Sequence, residues 1–510
     1  MFDRHLQAWP RFAPRQLRLP QTSVYTNLEV SALRYADQPA INYYDTDITY
    51  AELKHEAEAI AGYLQQLGVK KGDRVLLFMQ NSPQFIIGFY GILRADAVVI
   101  PINPMNRTAE LEHYIKDTGA AVAICGQELF PALAPLVGTH TLQHVIVAAY
   151  SDYVRQPTDL VLPDHVAMER QKIQQPGVRL WSDAIAAGVV PGPHTAGPDD
   201  LAVFPYSSGT TGAPKGCVHT HRSVMATLVG GVAWIPSSAG SVVLGTLPMF
   251  HVTGMQACMN SPIFAGSKVV LMTRWERRTA AKLIERYQVS GWTNIATMAI
   301  DFLSDPDIAK HDLSSLAAIG GGGAAMPAAV EEKLFQLTGL RYTEGYGLSE
   351  TMAGTHINPP DAPKAQCLGI PVFDVDSRVV DVETGRECGV GEVGEIITHA
   401  PQVFQGYWNR PEATAEAFLA HAGKRFFRTG DLGYYDADGY FFLVDRVKRM
   451  INASGFKVWP SEVEALLYRH PAIQEACVIA APDARRGETV KALVVLAAGA
   501  TLSAEALMTW

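Results

Sequence analysis

The run from Tyr206 to Gly216, YSSGTTGAPKG, combines the groups that bind a polyphosphate. Glycines let backbone N–H groups converge on an anion, hydroxyls donate further hydrogen bonds, and a lysine adds a positive charge. The run follows an apolar segment, Leu201 to Phe204, which we expect to be a strand. The residues predicted to hold phosphate are Ser207, Ser208, Gly209, Thr210, Thr211, Gly212 and Lys215. A flexible surface loop is the alternative, but such a loop does not require a lysine after Gly-x-x-Gly-x-Pro.

This run differs from the P-loop of nucleotidases. That motif ends in Gly-Lys followed by Ser or Thr, whereas Lys215 is followed by Gly216 and Cys217. A different phosphate-binding architecture is therefore expected.

Four further motifs follow in a fixed order. They are Gly321-Gly-Gly-Ala324, Tyr346-Gly-Leu-Ser-Glu-Thr351, Arg428-Thr-Gly-Asp431, and Val444-Asp-Arg446 with the segment from Ser454 to Glu462. Each motif alone is moderately specific, but their common order is highly specific. The chain resembles the adenylate-forming superfamily, which contains acyl-CoA synthetases, peptide-synthetase adenylation domains and beetle luciferases. The resemblance covers nearly the whole chain.

The resemblance implies an ATP site, and the residue types suit it. Tyr346 offers an aromatic face for adenine, and Glu350 a hard oxygen ligand for Mg²⁺. Asp431 has two acceptor oxygens for the ribose diol, and Arg446 would approach the ribose or phosphate from the other domain. The remaining expected ATP/AMP-binding residues are Gly322, Gly323, Ala324, Gly347, Ser349 and Thr351. The alternatives are core packing for Tyr346, a turn for Asp431 and a solvated charge for Arg446.

An acyl pocket is expected beside the nucleotide. The stretch from Ser223 to Ser267 contains no Asp, Glu, Lys or Arg, which predicts buried interior that lines an apolar cavity. His251 lies within it, where amino-acid-activating relatives usually carry Asp, so an amino-acid substrate is disfavoured. A satisfied core histidine is the alternative. The expected pocket residues are His251, Gly254, Gly321 and Gly322.

The elements that must position these residues alternate between helix and strand. Thr49 to Leu67 has apolar residues at helical spacing, Arg74 to Met79 resembles a buried strand, and Pro83 to Ala95 a second helix. The expected fold class is α/β, with two doubly wound βαβ-type sheets and a small β-barrel region in a large N-terminal domain, residues 1–445. A small α+β C-terminal domain is expected over 446–510.

The resemblance implies that the C-terminal domain is mobile, with Lys448 at its hinge, and that it binds CoA. The expected CoA-binding residues are Gly455, Lys457, Arg485 and Arg486. It also implies an essential lysine near the C-terminus, but the last lysine is Lys491, in a predicted strand. We therefore expect a partial C-terminal domain and impaired adenylation in this chain.

Composition and charge limit which other classes of protein the chain could belong to. The 510 residues include 42 basic and 51 acidic side chains, a net charge of −9 that disfavours non-specific nucleic-acid binding. The six cysteines form no CxxC pair, which is typical of free thiols in a reducing cytoplasm. No secretion signal and no transmembrane segment are expected, because Pro236, Pro248 and Pro262 interrupt the longest uncharged stretch. A homodimer is left open.

The predicted activity is that of an ATP-dependent carboxylate–CoA ligase. A carboxylate and Mg-ATP would give an acyl-adenylate, and CoA would then displace AMP. The expected catalytic residues are Lys215, His251, Thr211 and Glu350, and Glu350 is the expected metal ligand. A medium- or long-chain fatty acid is the expected substrate. The alternatives are an aryl acid, a carrier protein as acyl acceptor, or a nucleotide-binding remnant without ligase activity.

Overall fold

The structure, a computed structural model, describes residues 3–207, 213–453, 456–483 and 487–510. Eight of the expected site residues lie outside the described residues: Ser208, Gly209, Thr210, Thr211, Gly212, Gly455, Arg485 and Arg486. The roles assigned to them stay predictions.

The contacts within the chain define two compact units. The larger unit contains Ala8–Val375 and Ala400–Ala417. The smaller unit contains Met1–Gln7, Asp376–His399 and Phe418–Trp510. The predicted domain boundary after residue 445 lies inside the strand Phe441–Arg446 and stays a prediction.

The larger unit holds a nine-stranded sheet in its described part. Six neighbouring strands are parallel, and antiparallel strands flank them on both sides. The spatial order is Ile370–Pro371, Ala353–Ile357, Thr343–Leu348, Ala318–Gly322, Gly291–Asn294, Val242–Gly245, Lys268–Leu271, Pro39–Tyr43 and Thr46–Thr49. Parallel strands of this kind need crossover helices, which the alternating sequence pattern predicts.

A seven-stranded sheet completes the main body of the larger unit. It is parallel except for its first strand. The spatial order is His219–Thr220, Leu201–Val203, Val98–Pro101, Arg74–Phe78, Val122–Gly126, His144–Ala148 and Val178–Leu180. Together with the nine-stranded sheet, it confirms the prediction of two doubly wound sheets.

Helices cover both sheets of the larger unit. The α-helices are Tyr25–Arg34, Tyr50–Gln66, Pro83–Arg94, Thr108–Thr118, Phe130–Leu133, Asp164–Ala167, Trp181–Ala186, His221–Trp234, Val252–Met255, Ser261–Ala265, Arg277–Tyr287, Ala296–Leu303, Ala328–Thr338 and Pro411–Glu416, with a π-helix at Gln256–Asn260. Within Pro83–Arg94 every residue through Leu93 is buried, as expected of a helix that is apolar on all sides. The helix Tyr50–Gln66 begins where the Thr49 hydroxyl accepts a hydrogen bond from Glu52 N, so both predicted helices are confirmed.

In its described part, the smaller unit is built from antiparallel strands and two short α-helices. Its first sheet contains Asp376–Val380, Gly394–His399, Lys424–Tyr435, Phe418–His421 and Phe441–Arg446. Its second sheet contains Phe456–Val458, Ile451–Ala453, Gly487–Leu496 and Ile473–Asp483. The helices are Pro460–Leu467 and Ala504–Thr509, and the Ser503 hydroxyl caps the latter by accepting from Ala506 N.

No helix within the described ranges combines the length and the apolar character needed to cross a membrane.

Most of the glycine run lies inside a strand. Gly320, Gly321 and Gly322 belong to Ala318–Gly322, between two parallel neighbours. A Cβ on Gly321 would overlap the carbonyl oxygen of Asn294 in the adjacent strand. Close approach of neighbouring strands therefore requires these glycines, independently of any ligand.

We expect Gly321→Ala to destabilise the larger unit by about 1–3 kcal/mol, because the added methyl group must push the neighbouring strand away. Gly291→Ala, in that neighbouring strand, is the matched control, since a Cβ there meets nothing within 4 Å. Urea unfolding of both variants measures the difference. Equal midpoints for the two variants would contradict the packing explanation.

Candidate functional site

The two ends of the phosphate-binding run lie side by side. The short strand Tyr206–Ser207 pairs antiparallel with Lys215–Gly216, and Ser207 is directly opposite Lys215. The Tyr206 hydroxyl donates to Asp117 Oδ2 at 2.7 Å, which anchors the first of these strands. The structure therefore brings together Ser207 and Lys215, the two described residues of the run that the sequence predicts to hold phosphate.

A second segment, 405–408, runs alongside the strand that carries Lys215. Gln405 N donates to Val218 O at 2.9 Å, and Val218 N donates to Gly406 O at 3.0 Å. Trp408 N donates to Gly216 O at 2.8 Å. This ladder of backbone hydrogen bonds fixes the register between segment 405–408 and the phosphate-binding run.

Tyr407, in the middle of that segment, contacts two predicted catalytic residues. Its hydroxyl donates to Glu350 Oε1 at 2.8 Å, and Lys215 Nζ lies 5.0 Å from the centroid of its ring. The sequence interpretation missed Tyr407, because nothing in its neighbourhood carries a phosphate or metal signature. The one local signal that could have identified it is the pair of aromatic residues, Tyr407 and Trp408, directly after Gly406.

Glu350 sits in a tight 3₁₀ turn, Ser349–Thr351, between two antiparallel strands. Met352 and Ala353 complete the turn with φ values of 48° and 79°, in the left-handed region that side chains other than glycine rarely adopt. The buried Thr351 hydroxyl accepts from Leu348 N at 2.9 Å and donates to Ala353 O at 2.8 Å. In this conformation Thr351 holds the turn, and its expected place in the ATP site stays a prediction.

His219 ties the same turn to the seven-stranded sheet. Its Nε2–H donates to Ser349 O at 2.8 Å, and its Nδ1 lies 3.0 Å from Ser223 Oγ. Burial lowers the pKa of the His219 imidazole to about 4 by desolvation. The ring therefore stays neutral at physiological pH and holds the turn through a single N–H donor.

The carboxyl ends of two parallel strands bring the adenine candidates together. Gly322 is the register partner of Gly345, which directly precedes the half-buried Tyr346. Gly323 and Ala324 follow and are exposed. This end of a parallel sheet is where open α/β folds bind ligands.

Gly347 is required by the turn itself. A Cβ at this position would overlap the carbonyl oxygen of Ala353 across the strand pair. Its expected place in the ATP site stays a prediction.

The uncharged stretch from Ser223 to Ser267 is buried interior for most of its length, as predicted. His251 is an exposed exception: its Nδ1 accepts from Thr253 N at 3.3 Å and so begins the short helix Val252–Met255. Surrounding protein still lowers the pKa of its imidazole by desolvation. Exposure to solvent and a pKa lowered by desolvation are compatible in a side chain that lines a recess. The apolar cavity itself stays a prediction.

The loop that leads to His251 is fixed by a buried amide. Asn81 Nδ2 donates to Leu247 O at 2.9 Å, and Met249 N donates to Asn81 Oδ1 at 2.8 Å. A Cβ on Gly254 would overlap the carbonyl oxygen of Pro248, so this helix packs directly on the loop. Gly254 therefore has a packing reason besides its predicted place in an acyl pocket.

Asp431 and Arg446 lie opposite each other in one antiparallel sheet of the smaller unit. Arg446 Nε is 3.0 Å from Oδ1 of the buried Asp431. The sequence assigned the two residues to different domains, but strand pairing places both in the same sheet. Their predicted contacts with the ribose stay predictions.

The predicted hinge residue, Lys448, is exposed in the turn Val447–Arg449. Next to it, Asp445 Oδ2 accepts from Ser461 N at 2.9 Å, at the start of the helix Pro460–Leu467. Lys457 lies in the strand Phe456–Val458. The hinge and CoA-binding roles stay predictions.

The donor set fits a magnesium ion that is shared with a nucleotide. In the part of the chain that the structure describes, no three His, Cys, Asp or Glu side chains are grouped to hold a metal. Mg²⁺ typically uses one or two carboxylates together with substrate phosphates and water. Glu350, half-buried and beside Lys215 and Tyr407, matches this requirement for a single carboxylate.

We expect acid to weaken the fold partly through His219. Its pKa is about 4 when folded and about 6.5 when unfolded, so its contribution is full above pH 6.5 and is lost as the pH falls towards 4. The loss amounts to roughly 3 kcal/mol. His219→Gln should therefore show a shallower fall in unfolding free energy between pH 6.5 and 4.

His55→Gln, on the exposed face of the helix Tyr50–Gln66, is the control and should keep the wild-type slope. Denaturant unfolding at several pH values measures all three proteins. An unchanged slope for His219→Gln would show that His219 does not resist protonation in the fold.

Two family models match this chain. Residues 28–408 match the family of AMP-binding enzymes, and residues 462–510 match the AMP-binding enzyme C-terminal domain. The first match covers most of the larger unit, including the phosphate-binding run and the turn of Glu350.

Named relatives align over nearly the full chain. A long-chain-fatty-acid–CoA ligase of Bacillus subtilis (strain 168) is 35% identical over 513 residues, which cover 98% of this chain and 90% of the relative. The crystal structure of ATP-bound MatB from Rhodopseudomonas palustris superposes with a TM-score of 0.82 at 27% identity, covering 96% and 92%. That of a long-chain-fatty-acid-CoA ligase (FadD1) from Archaeoglobus fulgidus has a TM-score of 0.75 at 26% identity, covering 98% and 96%.

Proposed function

The chain belongs to the AMP-binding enzyme family, and we propose that it is an ATP-dependent acyl-CoA synthetase for medium- or long-chain fatty acids. The observation that carries the proposal is the cluster in which Tyr407 contacts both Lys215 and Glu350, next to Ser207. A cation, a carboxylate and a hydroxyl brought into one neighbourhood are what a magnesium–polyphosphate needs. The names of the long-chain-fatty-acid–CoA ligases support the choice of acid.

In the first step, a carboxylate oxygen of the acid attacks the α-phosphorus of ATP. A P–O bond forms, the bond to the β-phosphate oxygen breaks, and pyrophosphate leaves with the electron pair. Lys215 and Ser207 stabilise charge on the phosphate oxygens by a fixed ammonium and a hydroxyl donor. Glu350 would hold Mg²⁺, which neutralises phosphate charge when it is bound. The protein supplies no covalent nucleophile, so its contribution is positioning and electrostatics.

In the second step, the sulfur of CoA attacks the acyl carbonyl carbon, and AMP leaves with the former carboxylate oxygen. We assign adenine to Tyr346 with Gly322, Gly323 and Ala324, whose positions at adjacent strand ends support this role. The acyl group is assigned to His251, Gly254 and Gly321. For the ribose we assign Asp431 and Arg446, and for CoA Gly455, Lys457, Arg485 and Arg486.

The domain assignment forms part of the same proposal. A boundary after residue 445 with a hinge at Lys448 would let residues 446–510 reorient between the two steps. Impaired adenylation stays a prediction, as do a cytoplasmic location and a homodimer. Separate rates for pyrophosphate release and for acyl-CoA formation, cell fractionation and light scattering test these points.

Pyrophosphate release with ATP, Mg²⁺ and a panel of acids tests the proposed reaction. Fatty acids of about ten carbons or more should support release, and aryl acids should support less, because a long chain buries more apolar surface at about 0.8 kcal/mol per CH₂. If no acid in the panel supported pyrophosphate release and CoA yielded no thioester, the synthetase assignment would be refuted.

Lys215→Ala tests the phosphate site within that reaction. We expect the rate of pyrophosphate release to fall by about 100-fold or more, since one fixed charge at a developing anion is lost. Lys310→Ala, an exposed lysine paired with Asp307, is the control and should stay within about twofold of wild type. Normal turnover by Lys215→Ala would remove Lys215 from the phosphate site.

A further inference from the structure

Tyr407 has no role in the reaction outlined above, although both of its functional groups contact residues that do. Its hydroxyl reaches Glu350 and its ring face lies against Lys215. A ring that served only to fill space would need neither contact. The inference below concerns this residue and rests on the proposed function.

The backbone around Tyr407 holds the ring in place. Tyr407 N donates to Thr414 Oγ1 at 2.9 Å, and an isolated β-bridge joins Tyr407 to Cys217. Phe404, three residues earlier, packs edge-on against the ring with centroids 4.8 Å apart. Phe404 N also donates to Glu350 O at 2.8 Å. The same short segment thus fixes both the main chain and the side chain of Glu350.

The hydroxyl of Tyr407 donates a hydrogen bond to one oxygen of the carboxylate, with 2.8 Å between the phenol oxygen and Glu350 Oε1. Among the described residues, Glu350 Oε2 has no hydrogen-bond or ion-pair partner, so one carboxylate oxygen is engaged and the other is available to a cation.

The ring of Tyr407 contacts the ammonium of Lys215 and carries no charge of its own. The ammonium lies 5.0 Å from the ring centroid, within the range of a cation–π interaction. No carboxylate in the described ranges forms an ion pair with Lys215. An aromatic face attracts the ammonium without cancelling its charge, so the full charge remains available to a phosphate.

We propose that Tyr407 is a positioning residue that holds Glu350 and Lys215 in the geometry needed for a magnesium–nucleotide complex. Its hydroxyl fixes the Glu350 carboxylate with one oxygen directed to the cation. Its ring holds the ammonium of Lys215 beside the phosphates. The two functions are separable, because one belongs to the hydroxyl and the other to the ring.

Two substitutions separate the role of the Tyr407 hydroxyl from that of its ring. Tyr407→Phe removes the hydroxyl and keeps the ring, whereas Tyr407→Leu removes both. Binding is measured with Mn²⁺ by electron paramagnetic resonance, in the presence of a non-hydrolysable ATP analogue, and with the analogue alone in EDTA by calorimetry. Tyr407→Phe should weaken Mn²⁺ binding by about tenfold and leave metal-free nucleotide binding unchanged. Tyr407→Leu should weaken both.

Tyr25→Phe is the matched control, because the Tyr25 hydroxyl also donates to a glutamate, Glu58 Oε1, at 3.1 Å in another part of the larger unit. It should bind Mn²⁺ and nucleotide as wild type does. Melting temperatures of all variants show whether a loss of binding reflects a loss of fold.

A double-mutant comparison keeps the proposal open to refutation if Tyr407→Phe is less stable. In a Glu350→Gln background, Tyr407→Phe should cause no further loss of Mn²⁺ binding, because the hydroxyl acts through the carboxylate. Additive losses, or wild-type Mn²⁺ binding by Tyr407→Phe alone, would overturn the proposal.

These binding measurements are independent of the identity of the acid. If no acid supports pyrophosphate release while Tyr407→Phe still loses Mn²⁺ affinity, the proposed function fails and the role of Tyr407 stands. The reverse combination, an active synthetase with unchanged Mn²⁺ binding in Tyr407→Phe, refutes the positioning role of Tyr407 and leaves the proposed function intact.

Discussion

In the proposed site, two opposite charges must remain close to each other without pairing, and the rest of the site depends on this constraint. If the ammonium of Lys215 and the carboxylate of Glu350 formed an ion pair, a polyphosphate and a cation would have to break it. Tyr407 offers each of them a different surface, its ring to the ammonium and its hydroxyl to the carboxylate. Both charges are thus held by neutral groups, as the proposed binding of a polyphosphate and a cation requires.

The surrounding fold maintains this arrangement through rigid and partly strained elements. The turn that carries Glu350 ends in two residues with a left-handed backbone conformation, Met352 and Ala353. The neutral ring of His219 fixes the turn through its hydrogen bond to Ser349 O. Strain of this kind persists only where neighbouring structure determines the conformation. The segment 405–408 supplies the other side through backbone hydrogen bonds to the strand of Lys215. The arrangement of Glu350, Lys215 and Tyr407 is therefore a property of three chain segments that are distant in sequence.

Much of the fold could be predicted from local patterns. Helical spacing predicts a helix from Thr49 to Leu67, within one residue of the observed Tyr50–Gln66 at each end, and the alternation of helix and strand indicates two parallel sheets. The motif residues Ser207, Lys215 and Glu350 are likewise recognisable, because their residue types and order are specific.

The contacts between segments could not be predicted in this way. Tyr407 meets Glu350 across 57 residues, and only the register of segment 405–408 makes them neighbours. The pairing of Asp431 with Arg446 likewise depends on strand register, which no local pattern reveals. The sequence singled out Gly321 and Gly322 as ligand-site residues, but the structure gives them a further physical reason, the close approach of neighbouring strands.

The central claim is that a carboxylate oxygen of a fatty acid bonds to the α-phosphorus of ATP. A fatty acid labelled with ¹⁸O in both carboxylate oxygens, incubated with the protein, ATP, Mg²⁺ and CoA, tests this directly by mass spectrometry of the nucleotide product. The account predicts AMP that carries one ¹⁸O atom per acyl-CoA formed, because the attacking oxygen leaves with the phosphate. Unlabelled AMP, or ADP as the product, would contradict it.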